Sequence, residues 1–377
     1  MMFRVLVFLF TVLVKYVYTG CVTANFNAEC KSVTQLSERY INESLENFQN
    51  IKELYVRNED SELIVFESAF VHTKQLQTIM IRNSRIQRIY ENTFKDLPLK
   101  FLYINYDGIE QIKAGAFQNL PSLQKVVASH NKLKTVPRGV FKNLPALTTL
   151  TLSQNDISSV DESALENLPR LSKLHLDNNK IASISMHRML SNPEQLEILW
   201  LHNNSLTLLT NFMLQKLTKL KLLNLGFNDI TAIETSAFEQ TPQLETLVLT
   251  NNKLKEVDGN IFPRSGMGHL DKLYLDNNEL MFLPSSFFFR LNVLKWVTLV
   301  GNPWECACLD NIYRILLENE ITEKCQYTFV AGRRPICVSR DATKRVCSYK
   351  YDSELSTMYI NHKRKYPINV RPLTCIL

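Results

Sequence analysis

A repeat of about 24 residues limits what this chain can fold into more than any other feature of its sequence. Each copy opens with the pattern L-x-x-L-x-L or a close variant. The leading residues of successive copies are Leu76, Leu99, Leu123, Leu147, Leu171, Leu196, Leu220, Leu244, Leu270 and Leu294, spaced 23 to 26 residues apart. Because one copy cannot bury its own apolar side, the sequence predicts a stack of similar units that bury it between neighbours.

Two further positions recur at fixed distances from each leading leucine. Eight residues after it stands an asparagine, at Asn131, Asn155, Asn179, Asn204, Asn228, Asn252, Asn278 and Asn302; Ser84 and Asp107 take this place in two earlier copies. Eighteen residues after it stands a phenylalanine, at Phe94, Phe117, Phe141, Phe238, Phe262 and Phe288; Leu165, Met189 and Leu214 replace it in the middle. With a degenerate first copy at residues 51–56, we expect about eleven repeats, more loosely packed in the middle.

Each recurring position has a physical role. Leucines alternate with outward residues because successive side chains of a strand point to opposite faces. The asparagine amide can bond backbone groups that would otherwise be buried without partners. Phenylalanines fill the opposite, wider wall, so the stack curves and the sheet lines its concave side. This register resembles the leucine-rich repeat, and the resemblance implies an α/β solenoid, a horseshoe with a parallel β-sheet on its concave face.

The cysteines lie at the two ends of the chain, at Cys21, Cys30, Cys306, Cys308, Cys325, Cys337, Cys347 and Cys375. Residues 5–14 form a mainly apolar run with the length of a signal-peptide core, too short to span a bilayer. In a secreted chain, cysteines grouped in this way are typical of disulfide-stapled caps. Cleavage after Gly20 keeps all eight cysteines, whereas cleavage after Ala24 fits the small-residue rule better but removes Cys21. We favour the first and expect a secreted, extracellular protein with no transmembrane segment.

The C-terminal cysteines sit in recognisable segments. The last repeat continues into NPWECACL at residues 302–309, and RRPICV follows at residues 333–338. This combination resembles the cysteine-rich cap of secreted insect leucine-rich-repeat proteins, including the mosquito leucine-rich immune molecules. The resemblance implies that Cys306 and Cys308 pair with Cys325 and Cys337. The two remaining cysteines would then bridge each other, or one of them would bridge to another chain and form a disulfide-linked dimer.

These patterns divide the chain into five parts. They are a signal peptide at 1–20, an N-terminal cap at 21–50, the repeats at 51–302, the C-terminal cap at 303–350 and a basic tail at 351–377. The net charge is 43 − 37 = +6, and residues 338–377 hold eight Lys and Arg against three Asp and Glu. The basic character therefore belongs to the C-terminal end, where a solvated tail without a partner is the first expectation and binding of acidic glycans or lipid headgroups is the alternative.

Outward side chains on the concave sheet are the candidates for partner contact, since the pattern does not place them in the core. Aromatic side chains on such a surface favour interface hot spots. The first group, the Trp200 patch, is His175, Ile198, Trp200, His202 and Leu222. The second, the tyrosine patch, is Phe101, Tyr103 and Tyr106, flanked by Arg57 and Arg82. The alternative is that both are scattered surface aromatics, which are normal in soluble proteins.

Other chemistry is less well supported by the sequence. Asn42 and Asn203 begin glycosylation sequons, and only Asn203 of the Asn203-Asn204 pair is expected to be free for a sugar. His175 and Asp177 could hydrogen-bond near Ser153, but an open concave sheet excludes water poorly, so we expect no enzyme. Hydrolase, zinc-protease and phosphate-loop motifs are missing, and a disulfide explains the Cys-x-Cys pair better than a metal. We therefore expect no metal, no cofactor and no nucleic acid.

The sequence predicts a secreted, non-catalytic recognition protein whose concave face binds a protein partner. The family resemblance makes innate immunity the leading setting. One alternative is an extracellular-matrix or cell-adhesion component that binds acidic glycans or cell surfaces through its basic tail. Another is an enzyme inhibitor whose concave surface blocks the cleft of its partner. The repeats specify a fold and not a ligand.

Overall fold

A long, mostly parallel sheet organises the molecule. The computed structural model describes residues 20–45, 47–324, 335–341, 343 and 346–365 of the 377. Within these residues the sheet has fourteen strands: β1 Gly20–Ala24, β2 Asn27–Lys31, β3 Glu53–Glu62, β4 Thr78–Arg85, β5 Phe101–Asn105, β6 Lys125–Val127, β7 Thr149–Thr151, β8 Lys173–His175, β9 Ile198–Trp200, β10 Leu222–Asn224, β11 Thr246–Val248, β12 Lys272–Tyr274, β13 Trp296–Thr298 and β14 Thr322–Glu323. The first two strands form an antiparallel hairpin, and every later strand pairs in parallel with the one before it.

The register of the sheet places equivalent repeat positions side by side. Leu150 pairs with Leu174, and Leu199 pairs with Leu223. These inward leucines are fully buried, because each stacks on its counterpart in the next repeat. The predicted solenoid with a parallel sheet is confirmed.

The repeated asparagines form a ladder of hydrogen bonds just after the strands. In Asn179, Oδ1 accepts from the backbone N–H of Ile157 at 3.0 Å, one repeat earlier. Its Nδ2 donates to the carbonyl oxygens of Leu152, Leu176 and Asp177 at 3.0, 3.0 and 3.1 Å. Each such residue therefore satisfies four backbone groups that would be costly to bury without partners. We call the eight asparagines from Asn131 to Asn302 the asparagine ladder.

Stacked phenylalanines fill the wall opposite the sheet and form what we call the phenylalanine spine. Phe70, Phe94, Phe117 and Phe141 stack with centroid separations of 5.6, 5.4 and 5.0 Å and interplanar angles of 8° or less. Short strands at Phe94–Lys95, Phe117–Gln118, Phe141–Lys142 and Leu165–Glu166 pair along this part of the wall. A second run of rings joins Phe238, Phe262 and Phe287.

Two positions predicted for the spine were wrong by one residue. Leu190, rather than Met189, forms the backbone bridge to Leu165. Phe287, rather than Phe288, packs against Phe262, at 5.5 Å. Leu190 falls in the 25-residue copy that begins at Leu171, where an extra residue shifts the register that a constant period predicts. Phe287 falls in the 24-residue copy that begins at Leu270, and it lies one residue earlier than the period predicts. The aliphatic and methionine side chains that replace phenylalanine in the middle repeats are nonetheless buried. The looser packing expected in those repeats stays a prediction.

Short elements connect the two walls. Two-residue strands pair as Gln35–Leu36 with Ile64–Val65, Arg88–Ile89 with Gln111–Ile112, Thr135–Val136 with Ser159–Val160, and Leu208–Leu209 with Ala232–Ile233. The α-helices are α1 Glu38–Ser44, α2 Met186–Met189, α3 Ser285–Phe288, α4 Cys306–Glu318 and α5 Ser353–Lys365. The 3₁₀ helices are Phe48–Asn50, Pro193–Gln195 and Gly259–Ile261. No helix in the described part of the chain is both long and apolar enough to cross a membrane.

Disulfides close both ends of the described structure. Cys21 and Cys30 are joined across the β1–β2 hairpin, as the sequence predicts. At the other end Cys306 bonds Cys337, and Cys308 bonds Cys347. The second bond corrects the expectation that Cys306 and Cys308 pair with Cys325 and Cys337 and leave Cys347 to bridge Cys375 or another chain. The cysteines at 325 and 375 lie outside the described residues.

Part of the predicted tail is a helix packed on the last repeats. Leu355 of α5 lies in a buried cluster with Met281, Phe282 and the Cys308–Cys347 disulfide. Tyr359 is buried, and Lys363 donates to Asn277 Oδ1 at 3.1 Å. The last turn of α5 is basic, which suits the negative end of the helix dipole. Residues 353–365 are therefore a docked element rather than a solvated tail, and residues 366–377 lie outside the described part.

Candidate functional site

The structure brings the aromatic and imidazole members of the Trp200 patch together on the concave face. Strands β8 and β9 pair so that His175 stands beside Trp200. Their ring centroids are 4.9 Å apart, and His202 meets the indole edge at 5.5 Å. The three residues are partly buried, and the indole Nε1–H is buried without a hydrogen-bond partner among the described residues. The patch therefore presents a packed aromatic surface in which the indole N–H is enclosed.

A buried carboxylate anchors the polar side of this patch. Asp177 accepts from Ser153 Oγ at 2.7 Å and from Asn178 Nδ2 at 2.7 Å. Its Oδ2 lies 3.7 Å from Nε2 of His202, whose Nδ1 is buried with no partner in the described structure. Asp177 therefore lies beside the imidazole of His202 on the polar side of the patch, and the second ring nitrogen is enclosed.

Burial sets the charge state of the two histidines. It lowers the pKa of His175 and of His202 below the ordinary value of 6.5, and the Asp177 carboxylate opposes the shift in both. Lys173 and Lys125 also lower the pKa of His175. Both imidazoles are therefore neutral at pH 7 and acquire charge only as the pH falls further.

Ile198 and Leu222 complete the patch as neighbours in the sheet. They are paired residues of β9 and β10 and are both partly exposed. They give the aromatic cluster an apolar flank on the side toward the start of each strand.

The structure divides the tyrosine patch into two places. Phe101 and Tyr103 lie on β5 and face the concave side, and the Lys125 ammonium lies 5.7 Å from the Tyr103 ring. Tyr106 lies beyond the strand, half exposed, with its ring stacked on His130 at 4.0 Å and its hydroxyl 2.9 Å from His130 Nε2. Tyr106 therefore belongs to the rim of the sheet and not to the strand surface.

That rim contains a column of residues that sequence reasoning missed. The residue before each of the equivalent repeat positions from Ser84 to Asn278 is in the left-handed region, with φ between 50° and 62°, at Asn83, Tyr106, His130, Gln154, Asn178, Asn203, Phe227, Asn251 and Asn277. Asparagine tolerates this conformation better than most residues, so the doubled Asn-Asn in several repeats was the available signal. The column aligns side chains from successive repeats along one edge.

The concave surface becomes buried toward its C-terminal end. From Asn224 onward the outward residues Val248, Tyr274 and Thr298 are almost fully buried. The expectation that this whole column lies outside the core was therefore wrong. Strand alternation determines which face of the sheet a side chain lies on. Whether that side chain is buried depends on the other parts of the fold that pack against the same face. Trp200 lies at the boundary between the accessible and the buried parts.

The buried part contains acidic groups with altered protonation. Asp276 accepts from the hydroxyls of Thr298 and Thr250, yet burial raises its pKa to about 6. Burial likewise raises the pKa of Glu323, which accepts from the Tyr313 hydroxyl, to about 7. These carboxyl groups are enclosed and serve the packing of the last repeats.

Both sequons are placed at the surface. Asn42 is exposed on α1, and Asn203 is exposed on the rim. The Asn203 amide donates to Asn178 Oδ1 at 2.7 Å, whereas Asn204 is buried in the asparagine ladder, with its Oδ1 accepting from Ile181. The contrast expected between the two adjacent asparagines is confirmed; glycosylation itself stays a prediction.

The His–Asp–Ser group has no catalytic geometry. Ser153 donates directly to the Asp177 carboxylate, so the hydroxyl is not paired with an imidazole base. At the C-terminal cap, Glu305, Cys308 and Cys347 come close enough to suggest a metal site. Both sulfurs are in a disulfide, and the carboxylate accepts from Ser348 N and Oγ at 3.1 and 2.6 Å. Glu305 therefore holds the backbone and side chain of Ser348 by hydrogen bonds, and the three residues do not offer a set of metal ligands.

Comparison with known proteins supports the repeat assignment. The model of the family described as "Leucine rich repeat" matches residues 74–133, 98–157, 121–181, 147–193, 194–254 and 242–303, which together span more than half of the chain. No curated protein matches the sequence.

Solved structures share the fold at low sequence identity. A chain of the octameric complex of Latrophilin 3, Unc5D and FLRT2 is 18% identical with a TM-score of 0.57, covering 88% of this chain and 99% of that one. A chain of the Drosophila Toll–Spatzle complex is 16% identical with a TM-score of 0.52, covering 74% and 44%. A chain of the LRIM1/APL1C complex is 20% identical with a TM-score of 0.57, covering 84% and 59%. None of these comparisons indicates an enzymatic family.

Proposed function

The chain belongs to the leucine-rich repeat family, and we propose that it is a secreted, non-catalytic recognition protein that binds a protein partner on its concave face. One observation carries the proposal: His175, Trp200 and His202 form a fixed cluster on an accessible part of the sheet, with buried donor groups that no described residue uses. Tryptophan in a packed aromatic cluster at an accessible surface is typical of interface hot spots.

Two further observations support an extracellular setting. Three disulfides join parts of the described structure, and such bonds persist in oxidising compartments. The three similar structures are complexes of several proteins, and one of them is described as a hub in Drosophila development and innate immunity. Innate immunity in body fluid is therefore the setting that we propose first.

Affinity capture from native extracellular fluid tests the proposal. The immobilised wild-type chain should retain a specific protein, and Trp200→Ala should weaken that retention by about thirtyfold or more, as loss of a hot spot does. Phe289→Ala is the matched control, because Phe289 is a 74% exposed aromatic residue that follows α3. Equal retention by all three chains would exclude the Trp200 patch as the contact.

The basic C-terminal end offers a second candidate, binding of acidic glycans, through the exposed Arg364 and its neighbours at the end of α5. Because α5 covers Met281 and Phe282, deleting it would expose apolar surface and confuse the result. The double substitution Arg364→Gln with Lys365→Gln avoids this difficulty, because both side chains are exposed and the Lys363 contact with Asn277 is kept. If that variant loses salt-sensitive retention on heparin and loses partner capture, while Trp200→Ala retains capture, the matrix or adhesion role is the correct one.

A further inference from the structure

A groove at the N-terminal end of the concave face combines cations with apolar side chains. It has a volume of about 470 Å³. Its walls come from the cap strands β1 and β2 and from the first repeat strands β3 and β4, and they include Val22, Glu29, Tyr55, Arg57, Met80 and Arg82. The groove therefore exists only because the cap hairpin extends the repeat sheet, which the repeat pattern alone does not reveal.

The sheet register gathers positive charge along one row of this groove. Lys31 pairs with Arg57, and Arg57 pairs with Arg82, on three adjacent strands. Neighbouring strands lie about 4.8 Å apart, and like charges directly opposite one another are unfavourable. All three residues are exposed, so the chain tolerates a repulsive row on an accessible surface.

Local carboxylates neutralise only the Lys31 end of this row in the described structure. Glu29 pairs with Lys31 at 2.9 Å, and Glu53 accepts from the Tyr55 hydroxyl at 2.7 Å. Burial raises the pKa of Asp107 to about 7, although the Arg82 charge opposes that shift. Neither the Arg57 nor the Arg82 guanidinium has an ion pair or hydrogen bond in the described structure. The two planar guanidinium groups are therefore available to a carboxylate, which a guanidinium binds in bidentate geometry.

An apolar row runs beside the cations. Tyr55 pairs with Met80, and Met80 pairs with Tyr103; all three are partly exposed. Because they stand two residues before the arginine row, the two rows lie roughly 6–7 Å apart along the strands. This spacing matches that between side chains i and i+2 of an extended peptide, which lie on the same side of its backbone.

From this arrangement we infer that the groove binds an extended acidic segment of a protein, in which a carboxylate side chain lies two residues from an apolar or aromatic one. Arg57 and Arg82 hold the carboxylate, and Tyr55 and Met80 contact the apolar side chain. The inference rests on the concave face being the recognition surface, but it concerns strands separate from those of the Trp200 patch.

Binding to defined polymers tests this inference. The full chain is placed on a biosensor and exposed to a random copolymer of glutamate and tyrosine, to polyglutamate, to a copolymer of lysine and tyrosine, and to heparin. We expect the glutamate–tyrosine copolymer to bind most tightly of the four. Replacing both arginines, as Arg57→Gln with Arg82→Gln, should weaken that binding about tenfold or more, and added salt should reduce the difference. Met80→Ala should reduce the preference for the copolymer over polyglutamate.

The matched control removes two cations from the opposite wall, as Lys95→Gln with Lys142→Gln, and should leave binding unchanged. Trp200→Ala should also leave it unchanged, so failure here is distinguishable from failure of the partner-capture experiment. Circular dichroism confirms folding, and the single arginine variants, with intermediate losses, replace the double variant if it does not fold. The inference is overturned if the copolymer does not bind, if the double arginine variant binds it like wild type, or if heparin alone shows the arginine dependence.

Discussion

The first repeats and the middle repeats hold their stacks together by different means. In the first repeats the phenylalanine spine is complete from Phe70 to Phe141, but Ser84 and Asp107 interrupt the asparagine positions. In the middle the spine lapses between Leu165 and Leu214, and the asparagine ladder is complete. In each of these two regions, one of the two features is complete and the other is interrupted. Stacked phenylalanines and asparagine hydrogen bonds are therefore alternative ways to join neighbouring repeats.

This difference has a consequence for the Trp200 patch, which lies in the middle region. Asn179 donates to the Asp177 carbonyl, and Asn204 donates to the His202 carbonyl. The ladder therefore holds the backbone directly behind two of the polar groups of the patch. Where the spine is weakest, the geometry of the proposed binding surface depends on the amides.

The largest effect is expected from breaking the ladder in the middle. Asn179→Ala removes partners from four buried backbone groups and should lower the free energy of unfolding by about 3–5 kcal/mol, measured by urea denaturation. Lys180→Ala, which removes an exposed ion pair with Asp156, is the control and should cost under about 1 kcal/mol. Similar losses for the two variants would contradict the role given to the ladder.

The next effect comes from repairing the ladder in the first repeats. Asp107 accepts from Ser84 N through Oδ1 at 2.9 Å, and its other oxygen is buried without a partner in the described residues. Asp107→Asn supplies an amide donor there and removes a buried acid, so it should raise the free energy of unfolding at pH 8 by about 2 kcal/mol.

The pH dependence of that gain follows from the pKa of Asp107, which burial raises from 3.8 to about 7. The folded chain then binds the proton more tightly than the unfolded chain. The contribution of Asp107 to stability is full below pH 3.8 and is lost as the pH rises through about 7. The gain in unfolding free energy from Asp107→Asn should therefore be larger at pH 8 than at pH 5. A gain that does not change with pH would contradict this explanation.

A smaller loss is expected from trimming the spine where it is intact. Phe117→Leu removes ring contacts with Phe94 and Phe141 and should lower the unfolding free energy by about 1–2 kcal/mol. Leu190→Met, a swap of similar volume at the equivalent middle position, should cost under about 1 kcal/mol. Thermal unfolding of both variants measures this difference. A greater loss of stability in Leu190→Met than in Phe117→Leu would contradict the greater importance of the spine in the first repeats.

The smallest effect concerns the histidines of the middle region. Their pKa values are lowered by burial, so their contribution to stability is present above pH 6.5 and is lost as the pH falls below it. Asp177, Lys173, Lys125 and His202 are the titratable groups that act on His175. The double variant His175→Gln with His202→Gln should therefore lose less stability than wild type between pH 7.5 and pH 5.5. Parallel urea titrations that show the same loss in both chains would contradict this assignment.

The repeated part of the fold was predictable from sequence because its period is nearly constant. A fixed spacing identifies the inward leucines and the ladder without knowledge of their contacts. The prediction failed at Leu190, where a 25-residue copy shifts the register, and at Phe287, which packs on Phe262 in place of its neighbour Phe288.

The ends and the exposed sites were less predictable because they depend on contacts distant in sequence. The Cys308–Cys347 bond and the docking of α5 on Met281 follow from tertiary packing that no local pattern encodes. Trp200 and His202 were correctly placed together, since strand alternation puts them on one face. Tyr106 was misplaced because the left-handed turn after β5 carries it to the rim.

The central claim is that the concave face around Trp200 is the recognition surface, and hydrogen–deuterium exchange tests it most directly. The wild-type chain is compared with and without the protein that it captures from extracellular fluid. We predict added protection in β8, β9 and β10 and none in α3, which lies away from that surface. Protection confined to α3 or to α5, with unchanged exchange in those three strands, would contradict the claim.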